Sequence, residues 1–323
     1  MKQARRITIG KRIVPAALGL AALVMAGGVA AQAFPSKSVT VLSTFQLGGA
    51  PEVPLRLIAD DITKRTGKNF ILESRAGGGG AVGLSLLNRA EPDGHTLGYT
   101  FTGALLVNPY TTKDLGWDPT SFAPIGRIFN SPIIIVGDPN FPAKTMADVI
   151  RMAKEKPNSV SIAIGGSGNK IGLAQIENAT GAKFLWVPVS NQVRANVMGG
   201  HVNLGIETPS SVKSLIDDGK LTAVGIGSLK RFDYVPNVQP IAELIPGFEN
   251  GFWFGFLAPK GTPADRVGWL NREINTSLNL PAIQAKMKEL ALDSITETPQ
   301  QFDAYLRKTG PEFGDIIKRN NIN

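Results

Sequence analysis

The chain has 323 residues, with 34 Lys and Arg against 26 Asp and Glu (formal net charge +8), two His and no Cys. The lack of thiols excludes disulfides, thiolate catalysis and Cys-ligated metals, so stability must come from the packed core alone. A chain of this length can build such a core and is long enough to divide into two domains.

The first 33 residues read as a targeting segment. Lys2, Arg5, Arg6, Lys11 and Arg12 precede an apolar stretch over 13–29, which ends in Ala31-Gln32-Ala33 before Phe34. That is the pattern of a secretory signal peptide (1–33) with an A-x-A cleavage site near Ala33. The apolar stretch is rich in Gly and Ala and falls short of the ~20 apolar residues of a membrane span. The residues after Arg5-Arg6 fit a twin-arginine signal poorly. General secretion, with the mature protein in the periplasm, is the expectation. After cleavage 29 Lys and Arg face 26 Asp and Glu, a net +3. The excess charge that would suggest nucleic acid or a membrane surface therefore belongs largely to the targeting segment.

From Ser38 onward, short β-branched runs alternate with helical patterns. A strand is expected over 39–43, a helix over 55–63, a strand over 69–73, a helix over 81–89 and a strand over 96–101. A second series begins with a strand over 133–136 and a helix opened by Thr145. It continues through 159–164, 171–180, 184–187, 204–207 and 221–227. Strict alternation argues an α/β fold with parallel-rich sheets covered by helices on both faces, and two series imply two lobes. Near the end, Phe252, Trp253, Phe254 and Phe256 are too apolar for an exposed loop and read as a buried strand. Thr262-Pro263-Ala264-Asp265 then gives a helix start with a hydroxyl cap, and only helices are expected after it, from Pro263, Pro281 and Pro299. Thr298-Pro299-Gln300-Gln301 is a capping box.

In open α/β sheets ligands sit beyond the carboxyl ends of strands, where helix N-termini offer unpaired amides to anions. Four loops follow strands and carry glycine or small hydroxyl residues. The first contains Ser43, Thr44, Gln46, Gly48 and Gly49; its residues alone fit a binding loop or a tight turn equally well. The second, Arg75 through Gly83, has four consecutive glycines but lacks the Gly-Lys-Ser/Thr ending of a nucleotide loop, and reads as a structural turn. The third holds Thr102, Gly103 and Ala104. The fourth holds Gly166, Ser167, Asn169 and Lys170. Two later stretches, Ser190-Asn191 and Glu207-Thr208-Pro209-Ser210, also follow strands; Glu207 can read a ligand hydroxyl or amine, or cap the helix at Pro209.

Enzymatic readings lack the residues they need. His95 and His201 are the only imidazoles, and neither has metal-ligand spacing to another His. No G-x-S-x-G elbow is present. The four Trp do not alternate with basic residues, so nucleic acid is not expected as a partner.

The segment 246–263, P-G-F-E-N-G-F-W-F-G-F-L-A-P-K-G-T-P, followed by Leu270-Asn271-Arg272-Glu273-Ile274-Asn275, closely resembles the Bug-type (TctC-like) periplasmic receptors of tripartite tricarboxylate transporters. Pro92-Asp93-Gly94 and the stretch from Val235-Pro236 to Ala242-Glu243 add to the likeness, which extends over 34–323. The resemblance implies a two-lobed periplasmic binding protein, a Venus flytrap with the ligand in the cleft between its lobes. It implies a discontinuous first domain, 34–135 with 252–323, and a second domain over 136–251. It further implies a monomer that binds a small organic acid without cofactor or catalysis and passes it to the membrane permease subunits of the transporter. It tips the first loop toward binding and turns the third and fourth toward the cleft, one from each lobe. The chain departs from the family pattern at Gln46-Leu47, where two prolines are usual, at Asn169 for Ser or Thr, and at Gly172 for a frequent His. It also has Ser190-Asn191 where Tyr, Lys and Gly are common. Lys170 opposes the helix dipole and either meets a ligand carboxylate or points to solvent. The other readings are an exported α/β hydrolase and a ligand-binding subunit for a sensor kinase.

Overall fold

The computed structural model describes residues 34–48, 51–165, 167–189 and 192–322, with only the backbone of Ser167. The expected signal segment and its cleavage site, 1–33, lie outside the described residues, as do Gly49, Gly166, Ser190 and Asn191. The chain divides into two compact units, Met1–Ser36 and Lys37–Asn323, and both sheets belong to the second.

The alternation read from the sequence is present from the first strand. β1 (Val39–Ser43), α1 (Glu52–Thr66), β2 (Phe70–Ser74), α2 (Ala81–Asn88) and β3 (Thr96–Phe101) follow in order. Gly67 ends α1 in the left-handed region at φ 68° and donates its N–H to the Thr63 carbonyl, as a helix-terminating glycine does. After β3 the chain enters a π-helical turn, Gly103–Val107, that runs into the short α3 (Asn108–Thr111). The long β4 (Phe122–Pro132) and β5 (Ile134–Gly137) come next. They are followed by α4 (Met146–Glu155), β6 (Ser161–Ile164), α5 (Ser167–Thr180), β7 (Leu185–Pro188), α6 (Val193–Met198), β8 (Leu204–Glu207), α7 (Pro209–Asp217) and β9 (Thr222–Ile226). The chain closes with β10 (Gly251–Pro259), α8 (Ala264–Leu278), α9 (Pro281–Glu289), β11 (Asp293–Ser294) and α10 (Pro299–Arg319).

One sheet runs β11-β4-β10-β3-β1-β2 and the other β7-β6-β8-β5-β9. Both are mixed. Among the named strands, parallel pairing runs through β2-β1-β3 and β7-β6-β8, while β4, β10, β11, β5 and β9 pair antiparallel. The antiparallel pairings enter where the chain passes from one sheet to the other. β4 leads directly into β5, and β10 returns alongside β4 with Gly251 opposite Pro132 and Pro259 opposite Phe122. The backbones of this pair approach so closely that a Cβ on Gly255 would stand 2.8 Å from the Gly126 carbonyl oxygen. At the passage itself three backbone bonds close a ring: Ile133 donates to Asn250 at 3.0 Å, Asn250 to Gly227 at 3.0 Å, and Gly227 to Ile133 at 2.8 Å.

Each sheet has its own core. Ile135, Val149, Ile162, Leu173, Leu204 and Phe248 pack around the second sheet. Around the first, Trp253 meets Phe302 of α10 edge to face at 5.3 Å, and Phe129 stacks on Phe254 at 4.9 Å. Burying each such side chain contributes about 1.5–3 kcal/mol. Ile171 and Ala174 of α5 join the cluster of Leu105, Phe302 and Phe313, so a helix of the second series is packed on elements of the first sheet.

Two sequence readings are corrected. Thr262 does not cap α8: its hydroxyl donates to the Pro259 carbonyl at 2.8 Å, a turn bond, and Pro263 occupies the cap position. The stretch after β10 is not purely helical, because β11 adds two residues to the edge of β4. The capping box at α10 is present as read, with Gln301 N–H on Thr298 Oγ1 at 3.2 Å and Thr298 N–H on the Gln301 side chain at 2.8 Å.

Candidate functional site

β1 and β3 are parallel, so the loops after Ser43 and Phe101 leave the first sheet at the same edge. β10 runs antiparallel to β3, with Phe254 opposite Phe101, which brings Gly251 and Phe252 beyond the carboxyl end of β3. The N-terminal turn of α5, following β6, faces the same place: a Cβ on Gly168 would lie 3.0 Å from Cε1 of Phe252. Between them lies a cavity of about 230 Å³, whose walls include Phe101, Thr102, Gly103, Gly168, Asn250 and Phe252. Phe313 of α10 and Asn108 also line it.

Of the expected residues, the structure places Thr102 and Gly103 in the wall of this cavity, together with Gly168, which lies between the expected Ser167 and Asn169. Thr102 is buried, and its Oγ1 accepts the Trp253 N–H at 2.9 Å. Ala104 is fully buried behind Gly103. In the first loop, Ser43 and Thr44 are also buried; Ser43 Oγ donates to the Phe45 carbonyl at 2.9 Å and Thr44 Oγ1 to Thr100 Oγ1 at 3.4 Å. Gln46 and Gly48 are exposed, and the Gly48 N–H is donated to the Glu52 carboxylate. The Arg56 guanidinium and this amide hold the Glu52 carboxyl below its usual range. In α5, Asn169 is buried and its Oδ1 has no hydrogen-bond partner among the described residues, while Lys170 is half-buried. Glu207 is not at the cavity wall: it accepts from Ser211 Oγ at 2.7 Å and pairs with Arg194 at 3.6 Å.

Phe101 and Asn108 border the third loop but carry no sequence signal of a wall position, and Phe313 and Asn250 have none either, since an aromatic residue in a helix and an Asn before a strand fit ordinary packing. Phe45 was also passed over, yet its ring packs on Tyr99, Phe101 and Phe254 at 5.4, 6.1 and 5.2 Å and fixes the base of the first loop.

A larger hollow of about 360 Å³ lies on another flank, between the segment after β9 (Lys230 to Tyr234) and α9 with β11. Its walls mix Lys230, Arg231 and Lys288 with Asp233 and Asp293, and none of the loops at the carboxyl ends of β1, β3 or β6 reaches it. Burial raises the Asp293 carboxyl above its usual range. The smaller cavity is the one at the place where open α/β sheets bind ligands. Among the described residues no cluster of acids and His could hold a metal ion, and no helix is long and apolar enough to cross a membrane.

The model of the tripartite tricarboxylate transporter family receptor matches residues 55–322. The chain belongs to that family. A relative from Pseudomonas sp. strain P51, the UPF0065 protein of the tcbD-tcbE intergenic region, is 31% identical, with 98% of this chain and 96% of that one covered. Among solved structures, the periplasmic binding protein BugD is 26% identical with a TM-score of 0.65, covering 90% of this chain and 99% of its own. MatC from Rhodopseudomonas palustris, solved with bound malate, is 24% identical with a TM-score of 0.65, covering 88% and 100%, and shares the fold. The two-lobed α/β architecture of these receptors is the one built here from two mixed sheets.

Proposed function

We propose that this TctC-family receptor is exported to the periplasm, closes its two lobes on a small organic carboxylate, and delivers it to the membrane permease of a tripartite tricarboxylate-type transporter. In this reading the lobes are 34–135 with 252–323, and 136–251, and the protein acts as a monomer without catalysis. The observation that carries it is the cavity between Gly103, after a strand of one sheet, and Gly168, in the first turn of a helix after a strand of the other. A ligand bridging the two favours the closed arrangement by its differential affinity for it. Amides at the start of α5 suit an anionic group. Exclusion of water on closure strengthens each hydrogen bond to it. The family's transporter description and the malate held by MatC support the carboxylate class. Ser43, Thr44, Gln46, Gly48, Gly49, Thr102, Gly103, Ala104, Gly166, Ser167, Asn169, Lys170, Ser190, Asn191 and Glu207 are the positions assigned to the site and its supporting shell.

The test is a thermal-shift and calorimetric screen of the mature protein against mono-, di- and tricarboxylates, with each reaction mixture assayed for turnover. Saturable stabilisation by at least one acid, with the acid recovered unchanged, is the expected outcome. Stabilisation by none would end the carboxylate reading, and chemical conversion of the bound acid would favour the hydrolase. Loss of uptake of that acid in cells lacking the receptor tests delivery; unchanged uptake would remove the transport role.

A further inference from the structure

We infer that the ligand is a monocarboxylate with a ring-sized apolar body, and that di- and tricarboxylates are poor ligands; this rests on the reading of the cavity between Gly103 and Gly168 as the receptor's ligand site. The first observation is what forms the walls. Phe101, Phe252 and Phe313 contribute three phenyl rings, and among the described residues no Asp, Glu, Lys or Arg lines the cavity. The rings are held in place by bare backbone. A Cβ on Gly103 would stand 3.0 Å from Cε2 of Phe101, and one on Gly168 would stand 3.0 Å from Cε1 of Phe252. Each glycine therefore lets a ring lie directly on the backbone, one pair from each side of the cavity.

The second observation is that the polar side chains in the wall are already engaged. Thr102 Oγ1 takes the Trp253 N–H and lies 3.4 Å from the Trp253 carbonyl. Asn108 Nδ2 donates to the Gly78 and Gly79 carbonyls at 3.2 and 3.0 Å. Thr111 Oγ1 donates to the Val107 carbonyl at 3.3 Å, and Asn250 Nδ2 to Gln175 Oε1 at 3.1 Å. What the described wall can still offer an anion is mainly backbone amide at its glycines, Gly168 in the first turn of α5 among them. One carboxylate can be served there. A second, held among the phenyl rings, would be stripped of water with no cation among the described lining residues and only the second Asn250 amide hydrogen to replace it.

Volume agrees with this division. An apolar cavity of about 150 Å³ takes up benzene, and the cavity here is about 230 Å³. The difference is about that of two to three water molecules at roughly 30 Å³ each, which is room for one carboxylate beside a ring.

The experiment is calorimetric titration of the mature protein with benzoate, phenylacetate and cyclohexanecarboxylate against malate, adipate and citrate. At least tenfold tighter binding of the ring-bearing monocarboxylates is expected. Tighter binding of a di- or tricarboxylate overturns the inference while leaving the carboxylate receptor intact; binding of none of the six overturns both. Phe252→Ala should weaken the ring acid about tenfold. Phe252→Leu, which keeps the apolar volume and guards against a folding defect, should weaken it two- to threefold with an unchanged circular dichroism spectrum. Equal affinity in wild type and both variants would show that the ring does not touch ligand and would overturn the assignment.

Discussion

Asn250 occupies the space that a side chain at position 172 would need: a Cβ on Gly172 would lie 2.7 Å from Asn250 Oδ1 and 2.8 Å from its Cγ. Asn250 cannot retreat easily. It is 5% exposed, its backbone belongs to the hydrogen-bonded ring with Ile133 and Gly227, and its amide donates to Gln175. Gly172→Ala therefore sets a gain in helix propensity of about 1 kcal/mol against an overpacking cost of about 1–3 kcal/mol. The expected result is a net loss of up to about 2 kcal/mol in urea denaturation. Coupling to Asn250→Ala should exceed about 0.5 kcal/mol in a double-mutant cycle. A Gly172→Ala protein more stable than wild type would show that Asn250 does not fill this space.

Thr102 does two jobs at the cavity wall. β3 and β10 pair as far as Phe101 opposite Phe254, and the next ladder bond is replaced by the Thr102 hydroxyl, which accepts the Trp253 N–H at 2.9 Å. Thr102→Val keeps the shape and strands a buried amide, which costs about 1–3 kcal/mol. Stability should fall by that amount, and hydrogen exchange at the Trp253 amide should accelerate by at least tenfold. Unchanged exchange at Trp253 would mean that the hydroxyl is not its acceptor.

Glu249 gives the segment between the sheets a pH dependence. Burial raises its carboxyl above the usual range, and the nearby Arg127 guanidinium only partly offsets this. A carboxyl raised in the folded state favours folding while protonated, so its contribution is fully present below the unfolded value near 4.5 and is lost as pH rises through the folded value. At pH 7 the charged group is a burden. Glu249→Gln should raise the melting temperature at pH 7, by a margin that shrinks toward zero below the unfolded value of 4.5. A constant margin from pH 4 to 8, or a drop at pH 7, would contradict this account.

Most of the scaffold was legible because local signals and tertiary structure agreed. β1 and β3 have the bounds that β-branched and aromatic runs gave them, and Thr298 and Gln301 form the capping box their spacing predicts. What was not legible depended on contacts between distant segments. β4 is interrupted by Pro124, Gly126 and Pro132 and carries no clean alternation, yet pairing with β10 along its whole length makes it a strand. Thr262 has the right residue type for a cap, but the turn at Pro259 claims its hydroxyl. At the site, the glycine loops announced themselves through composition. Phe101, Phe252 and Phe313 did not, because a phenyl ring lining a cavity and one buried in a core have the same sequence signature. Gly172 stood out as a departure from the family pattern, and its reason, the seat it makes for Asn250, required both segments together.

Arg127 and Glu297 form a nearly buried ion pair at the edge of the first sheet, with side chains 12% and 7% exposed. The Glu297 carboxylate accepts the Arg127 backbone N–H at 2.7 Å, Nε at 3.1 Å and Nη2 at 2.9 Å, while the guanidinium lies 3.8 Å from the centroid of the Tyr305 ring. Burial alone would lower the Arg127 affinity for its proton, but the bonds and charge of Glu297 outweigh it. Removing the carboxylate with Glu297→Ala leaves a buried guanidinium and a strand amide without their acceptor, a loss of about 3–5 kcal/mol. Glu297→Gln keeps one acceptor for the backbone amide and should cost less, about 1–3 kcal/mol. Because the pair is shielded from solvent, the wild-type stability it provides should change little between 0.05 and about 0.5 M salt, unlike that of an exposed pair. Urea denaturation of the three proteins at both ionic strengths checks the order. Equal stability of the alanine variant and wild type would show that the pair holds nothing together, and a strong salt dependence would show that it is wet.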